Sequence, residues 1–325
     1  MNIPMITSAR LYCVYSTNTH EDDSSPSGMK DLATEARRHR GKAFSFLRAF
    51  VPPWQLSFTA KISVLLISLF LLADPLMAAP ASKYWAYWDK SSSESEEHIN
   101  HDLWQEILDK YLVLRPDGNR FRYQEVGQED RQKLESYLQS LSSLDPRDYT
   151  KAEQKAYWIN FYNALTVNLV LENYPVKSIT RIGPWYRFGP WDSDITRVAG
   201  QKLTLNDIEH RILRPLWEDN RIHYGVNCAS LGCPDLSDQA FTAANTEMML
   251  DMLARRFVRQ EKGMSWLDGT LTLSRIYEWY EKDFIDKEGV LLHLRQYASP
   301  ASSRKLKKYT RVIQYQYDWR LNELK

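Results

Sequence analysis

The chain has 325 residues, 43% hydrophobic and 26% charged, an ordinary globular usage with enough apolar residues for a sizeable core. Its formal net charge is +1, and after the first 79 residues 34 Lys and Arg stand against 35 Asp and Glu. That balance lacks the basic excess of a nucleic-acid binder, so no nucleic-acid partner is expected.

The aromatic content is high, with 11 Trp, 19 Tyr and 11 Phe, so much of the core area has to come from rings whose hydroxyl and indole groups need partners. Residues 1–60 read as a polar and basic lead-in. From Arg37 to Lys61 the chain carries Arg37, Arg38, Arg40, Lys42, Arg48 and Lys61 and no acid. An apolar run from Ile62 to Ala73 follows, and then a small-residue patch, Ala78, Ala79, Pro80, Ala81 and Ser82. Basic flank, short apolar run and small residues make residues 61–81 a secretory signal peptide, with cleavage after Ala79 or Ala81 and a periplasmic or secreted product. The alternative is an uncleaved membrane anchor, but Asp74 and Pro75 interrupt the run before the roughly 20 apolar residues that cross a bilayer.

Residues 82–325 read as one domain. Thr150 followed by Glu153 forms a capping box, and the helix it opens runs to about Asn173, ahead of Pro175. Trp158, Phe161, Tyr162, Leu165 and Leu169 share one face of it and Ala156, Ala164, Val167 and Leu171 the opposite one, as in a helix buried on all sides. A second helix starts at Thr204, with Leu203 and Ile208 as a hydrophobic staple, and is expected to stop near Arg214 because Pro215 follows. A third spans roughly Thr242 to Val258. Strand character is expected at Ile195 to Ala199, Ile222 to Val226 and Arg311 to Tyr317, and a hairpin turns at Asp268-Gly269. The fold class is α+β: a predominantly helical domain around a buried central helix, with a small sheet.

Three groups of residues could carry chemistry. Asn160 and Asn163 lie on the buried helix, where an unpaired carboxamide costs about 1–3 kcal/mol; they either pin a neighbouring loop or polarise a substrate carbonyl. Glu209 borders the apolar stripe Leu205, Ile208, Ile212 beside His210, and either pairs with an Arg or acts as an acid or base. The segment from His223 to Pro234 holds Cys228 and Cys233, with Gly225, Gly232 and Pro234 enforcing a loop. Its readings are a Cys228 to Cys233 disulfide, a free buried or activated Cys228, and a zinc site from His223, Cys228 and Cys233 that lacks an obvious fourth ligand.

The blocks Trp158 to Ala164, Leu205 to Arg214, His223 to Pro234 and Tyr317 to Asn322 resemble the successive motifs of the domain-of-unknown-function 547 (DUF547) family, in its bacterial exported type, over roughly Ser95 to Asn322. The resemblance implies the domain and a signal peptide but no established reaction. It implies further that relatives keep the Asn pair, the Glu-His pair and a thiol at Cys228, while Ser can replace Cys233 and Thr can replace His223. An obligatory disulfide and a zinc site lose weight on that basis, and Cys228 with Glu209, His210 and the Asn pair becomes the candidate shared site.

Three functions compete. The first is a thiol-dependent hydrolase or acyl transferase acting on a cell-envelope peptide or amide, with Cys228 as nucleophile, His210 or His223 as base, Glu209 orienting it and Asn160 or Asn163 as oxyanion donor. The second is a non-catalytic binding or structural module, with Trp185, Tyr186 and Trp191 beside a groove. The third is a redox or metal protein using Cys228 and Cys233, disfavoured by a spacing unlike Cys-x-x-Cys. No cofactor is expected.

Overall fold

The computed structural model describes residues 80–324. The lead-in and nearly all of the 61–81 signal segment lie outside the described residues. In chain order the elements are α1 (Asp102–Tyr111), β1 (Leu112–Val113), β2 (Arg120–Phe121), α2 (Gln128–Ser143), α3 (Lys151–Glu172), β3 (Thr196–Val198) and β4 (Gln201–Leu203). Next comes α4, a π-helical run Asp207–Leu213 that passes into α-helix at Arg214–Trp217. The rest are α5 (Ile222–Gly225), α6 (Thr246–Arg259), β5 (Met264–Leu267), β6 (Thr270–Ser274), α7 (Ile276–Trp279), α8 (Lys287–Tyr297), α9 (Pro300–Lys307) and β7 (Gln314–Gln316). The architecture is the helix-rich α+β expected.

Helix α3 is the centre. Thr150 caps it by accepting the Glu153 amide at 3.3 Å, but the Glu153 side chain does not complete a capping box. Its carboxylate takes the Ile99 amide and His98 Nδ1 instead, tying the N-terminal segment to the helix start. Both apolar faces are buried, with Trp158, Phe161 and Tyr162 on one and Ala156, Ala164 and Val167 on the other. Helices α2, α4 and α6 pack around it.

The sheets are small. β1 pairs with β2 and β3 with β4, both antiparallel, and β5, β6 and β7 form the largest sheet. Asp268 and Gly269, at φ 50° and 74°, make the tight turn between β5 and β6 that their sequence announces. β7 is shorter than the expected Arg311–Tyr317 strand and adds parallel to β6. Among the described residues no helix is long and apolar enough to cross a membrane.

Three boundaries correct the sequence reading. The expected strand Ile222–Val226 is the helical turn α5, because Asp219 caps it locally, accepting the Arg221 amide at 2.9 Å. Pro215 does not end α4. It falls in the first turn of the α-helical part, where the missing N–H costs little after a π-run whose bonds reach one residue further, and the helix ends at Glu218 with φ 46°. Helix α6 starts at Thr246 instead of Thr242, since Thr242 and Asn245 bond reciprocally in a turn ahead of it.

Candidate functional site

The floor of the site is built on α4, where π-helical widening brings Glu209, His210 and Arg214 together. Arg214 grips Asp283 with two bonds, Nε to Oδ2 at 2.6 Å and Nη2 to Oδ1 at 2.8 Å, and its Nη1 reaches the Pro80 carbonyl at 2.9 Å and His210 Nδ1 at 3.0 Å. A guanidinium only donates, so His210 Nδ1 accepts and the neutral imidazole carries its proton on Nε2. Burial pushes His210 down to about 4, with Arg214 acting in the same direction, and the ring is neutral at pH 7. His223 bonds Asp283 Oδ2 through Nε2 at 2.7 Å and stacks on Tyr280 with centroids 4.1 Å apart.

Glu209 Oε1 lies 3.9 Å from Nδ1 of both His210 and His223. Burial raises its carboxyl, but the basic groups around it, Arg214 among them, and a hydrogen bond from Tyr162 together hold it below its ordinary value. Asp283 is raised by burial too, and His223 and Arg214 outweigh this and hold it far below the usual carboxylate range.

The Cys228 loop is held from two sides. Asn163 on α3 donates to the Gly225 carbonyl at 2.8 Å and accepts the Asn227 amide at 2.8 Å, fixing the residues just before the cysteine. Asn227 then folds the loop on itself, donating to the Pro234 carbonyl at 2.7 Å and accepting the Ala229 amide at 2.9 Å, with Ala229 at φ 58°. From the other side the C-terminal segment runs along the loop: Leu231 donates to Arg320 at 2.8 Å, Gly232 to Asp318 at 2.9 Å, and Asn322 to Ala229 at 3.0 Å. A Cβ at Gly232 would stand 2.6 Å from the Asp318 nitrogen, so only glycine admits this approach.

Within this frame Cys228 is half-buried and Cys233 buried, and both are free thiols. Cys228 Sγ sits 3.2 Å from Ser230 Oγ and 3.2 Å from the Tyr317 hydroxyl, and those two hydroxyls are 3.0 Å apart. A hydrogen bond from the Cys233 thiol lowers Cys228 most; burial opposes it, and Ser230 and Tyr317 add to the lowering, which takes the group to about 7. Burial and the neighbouring Cys228 push Cys233 well above its ordinary value, so Cys228 ionises and Cys233 keeps its proton.

These groups open onto one cavity of about 300 Å³, bordered by Glu209, His210, His223, Cys228 and Cys233 and walled by Phe188, Trp191, Trp279, Tyr280, Tyr317 and Trp319.

Residues 146–258 match the family model described as "Protein of unknown function, DUF547". No curated protein and no solved structure matches the chain. The matched segment holds α3, α4 and the Cys228 loop, so it contains Asn160, Asn163, Glu209, His210, His223, Cys228 and Cys233. Asp283, Tyr317 and the Trp279–Trp319 wall lie beyond it.

Six of the residues singled out in the sequence, Trp191, Glu209, His210, His223, Cys228 and Cys233, therefore meet at one cavity. The two asparagines part company. Asn163 supports the loop next to Cys228, whereas Asn160 donates to the Phe241 carbonyl at 2.7 Å and accepts the Phe241 amide at 3.0 Å, holding a different segment. Neither borders the cavity, and the role of oxyanion donor is corrected to one of loop support, since each carboxamide is committed to backbone on both sides. The disulfide reading is corrected as well: both cysteines are free thiols, and Cys233 Sγ accepts the Cys228 amide at 3.0 Å. Among the described residues no group of three or more His, Cys, Asp and Glu is arranged to hold a metal ion. Neither imidazole is hydrogen-bonded to Cys228: the sulfur's partners are hydroxyls and the second thiol, so the expected Cys-His pair is corrected to a Cys-Ser-Tyr cluster. Sequence reasoning missed Ser230, Asp283 and Tyr317 as site residues. Ser230 and Tyr317 stand inside the family blocks His223 to Pro234 and Tyr317 to Asn322, which was the available signal for them.

Proposed function

We propose that the protein is a thiol-dependent hydrolase or acyl transferase acting on a peptide or amide of the cell envelope. The carrying observation is Cys228, a half-buried thiol lowered to about 7 at the edge of a cavity that could hold a small acyl substrate. Export rests on the basic, apolar and small-residue pattern up to Ser82.

In this reading Cys228 ionises to solvent without a partner base. The thiolate attacks the substrate carbonyl, a C–S bond forms, and charge moves from sulfur to the carbonyl oxygen. The Tyr317 hydroxyl, 3.2 Å from the sulfur, is placed to follow that charge. Collapse breaks the C–N bond, and the leaving amine takes up one proton, balancing the one the thiol released. Water or a second amine then attacks the thioester, releases the acyl group and returns the thiol. Glu209, His210 and His223 shape the polar side of the cavity and orient the substrate.

A non-catalytic binding module is the second reading, and the observation favouring it is that both imidazoles are tied to Arg214 and Asp283 instead of to the sulfur. Incubation with p-nitrophenyl acetate separates the two. An acetyl adduct mapped to Cys228, absent in a folded Cys228→Ser protein, supports acyl transfer. Unmodified Cys228 with hydroxyls and amines equally unreactive supports the binding module.

A further inference from the structure

The wall beside Cys228 consists of rings packed around Trp319, and Phe188 and Trp191 also stack on each other at 20° and 6.0 Å. Around Trp319, Phe188 stands at 86° with centroids 5.1 Å apart, Trp191 at 66° and 5.8 Å, and Tyr317 at 52° and 4.6 Å, while Trp279 lies closer to parallel at 29° and 5.6 Å. These five rings pack on one another and together form the aromatic side of the cavity. Tyr317 joins this box to the chemistry, with its hydroxyl 3.2 Å from Cys228 Sγ and its ring 4.8 Å from that of Trp279.

The groups of fixed charge at the cavity are acidic, with the two imidazoles on its polar side. Its wall includes the carboxylates Asp192 and Glu209 and the Cys228 thiol, and neither Lys nor Arg is among its lining residues. Arg214 lies behind the floor, gripping Asp283. Anionic substrates are therefore disfavoured and cations favoured.

Part of the hydrogen-bonding capacity is taken up. Asp192 accepts from Asn206 at 2.6 Å, His210 Nδ1 faces Arg214, and His223 Nε2 is bound to Asp283. A sugar ring needs directed donors and acceptors for its hydroxyls, and the rings on the aromatic side of the cavity offer no acceptor but the Tyr317 hydroxyl, itself 3.0 Å from Ser230. An alkylated ammonium needs only ring faces and a negative field, since it has no hydroxyls to satisfy.

We propose that the aromatic box formed by Trp319, Trp191, Trp279, Phe188 and Tyr317 binds an alkylammonium group of the substrate, next to the acyl group presented to Cys228. The acyl half of this statement rests on the thiol-dependent reading; the ammonium half stands on the box and its charge. The residue that sets the box is Trp319, which touches all four other rings, and Asp192 supplies charge at its side.

The test is binding of choline and of its neutral carbon isostere 3,3-dimethylbutanol to the exported protein, followed by tryptophan fluorescence and by calorimetry. The expected result is roughly tenfold tighter binding of choline, in the range that a desolvated cation over aromatic faces produces. Trp319→Leu is expected to abolish the preference, Trp319→Phe to keep part of it, and Asp192→Asn to weaken it; retention by Trp319→Phe guards against a folding artefact. Equal affinity for the two probes, no binding of either, or preferential binding of methyl glucoside overturns the inference. A second arm compares acetylthiocholine with the S-(3,3-dimethylbutyl) thioacetate. Cys228 acylation by both at equal rates sinks the ammonium site and leaves the thiol reading, whereas choline binding without acylation sinks the thiol reading and leaves the site.

Discussion

Two charged networks stand on and around α3, and each joins an arginine and a second basic residue to carboxylates. In the first, buried Lys155 reaches Asp219 at 2.7 Å and Glu247 at 2.8 Å, while Arg221 binds Asp219 at 2.8 Å, Asp251 at 2.9 Å and also Glu247. In the second, Arg214 and His223 share Asp283, and Glu209 stands 3.9 Å from two imidazoles. In the first every cation sits directly on carboxylates, and none of its members borders the aromatic cavity. The second leaves one carboxylate at longer range and opens onto that cavity. Burial and pairing alone thus do not mark a functional centre; adjacency to an open, aromatic-walled space with a lowered thiol does.

The comparison breaks most visibly at Lys155. Replacing it by Met removes the buried cation while Arg221 still holds Asp219, with an expected loss of about 1–3 kcal/mol in denaturant unfolding. Cys228 alkylation in the folded fraction is expected to stay unchanged. A fall in thiol reactivity at constant fold would show the two networks to be one.

The two asparagines sharpen the contrast. Asn160→Ala and Asn163→Ala each leave backbone groups unpaired, so each is expected to cost about 1–3 kcal/mol. Only Asn163→Ala should also slow Cys228 alkylation, because it alone holds Gly225 and Asn227. Equal slowing by both variants would remove the distinction between a supporting and a remote asparagine.

Acid tests the first network separately. Asp219 is raised by burial, but Arg221 and Lys155 outweigh this and lower it to about 2. A carboxyl whose folded value lies below its unfolded one, about 4, contributes stability that is complete above pH 4 and is lost as pH falls toward about 2. The contribution is about 2 kcal/mol, and Asp219→Asn should flatten the stability curve between pH 4 and 2. An unchanged slope would show that other carboxylates carry the acid response.

Much of the frame was legible before the structure, and for local reasons. Thr150 announces the start of α3, Asp268-Gly269 the hairpin, and the apolar faces of α3 its burial. Two local signals misled. Ile222 and Val226 carry strand character, yet the Asp219 cap decides for a helical turn, and Pro215 looked like a stop because the π-run ahead of it leaves no mark in residue spacing. At the site, Glu209, His210, His223 and Cys228 were found because they lie within one stretch of the chain. Tyr317 and Asp283 reach Cys228 and His223 across 89 and 60 residues, and no periodicity encodes such a contact. Ser230, two residues from Cys228, was missed because its hydroxyl acquires its role only when Tyr317 arrives.

The smallest changes concern Cys228 itself. Tyr317→Phe and Cys233→Ala each remove a donor to the sulfur and are expected to raise its pKa, Cys233→Ala the more, while Cys233→Ser retains a donor and should shift it least. Titration of iodoacetamide reactivity in each variant reads the shifts directly, and identical profiles in all three would mean that neither group polarises the thiol.

The central statement, that Cys228 is an ionised thiol held by Cys233, Ser230 and Tyr317, is tested most directly by the pH dependence of its alkylation in the wild-type protein. Reaction with iodoacetamide should be followed by peptide mass mapping, so that Cys13 and Cys233 are scored apart. A rate at Cys228 that rises with pH and levels off with an apparent pKa of about 7, while Cys233 stays unmodified, is the expected result. A Cys228 profile centred near the ordinary thiol value of about 8.5, or modification of Cys233 ahead of Cys228, contradicts it.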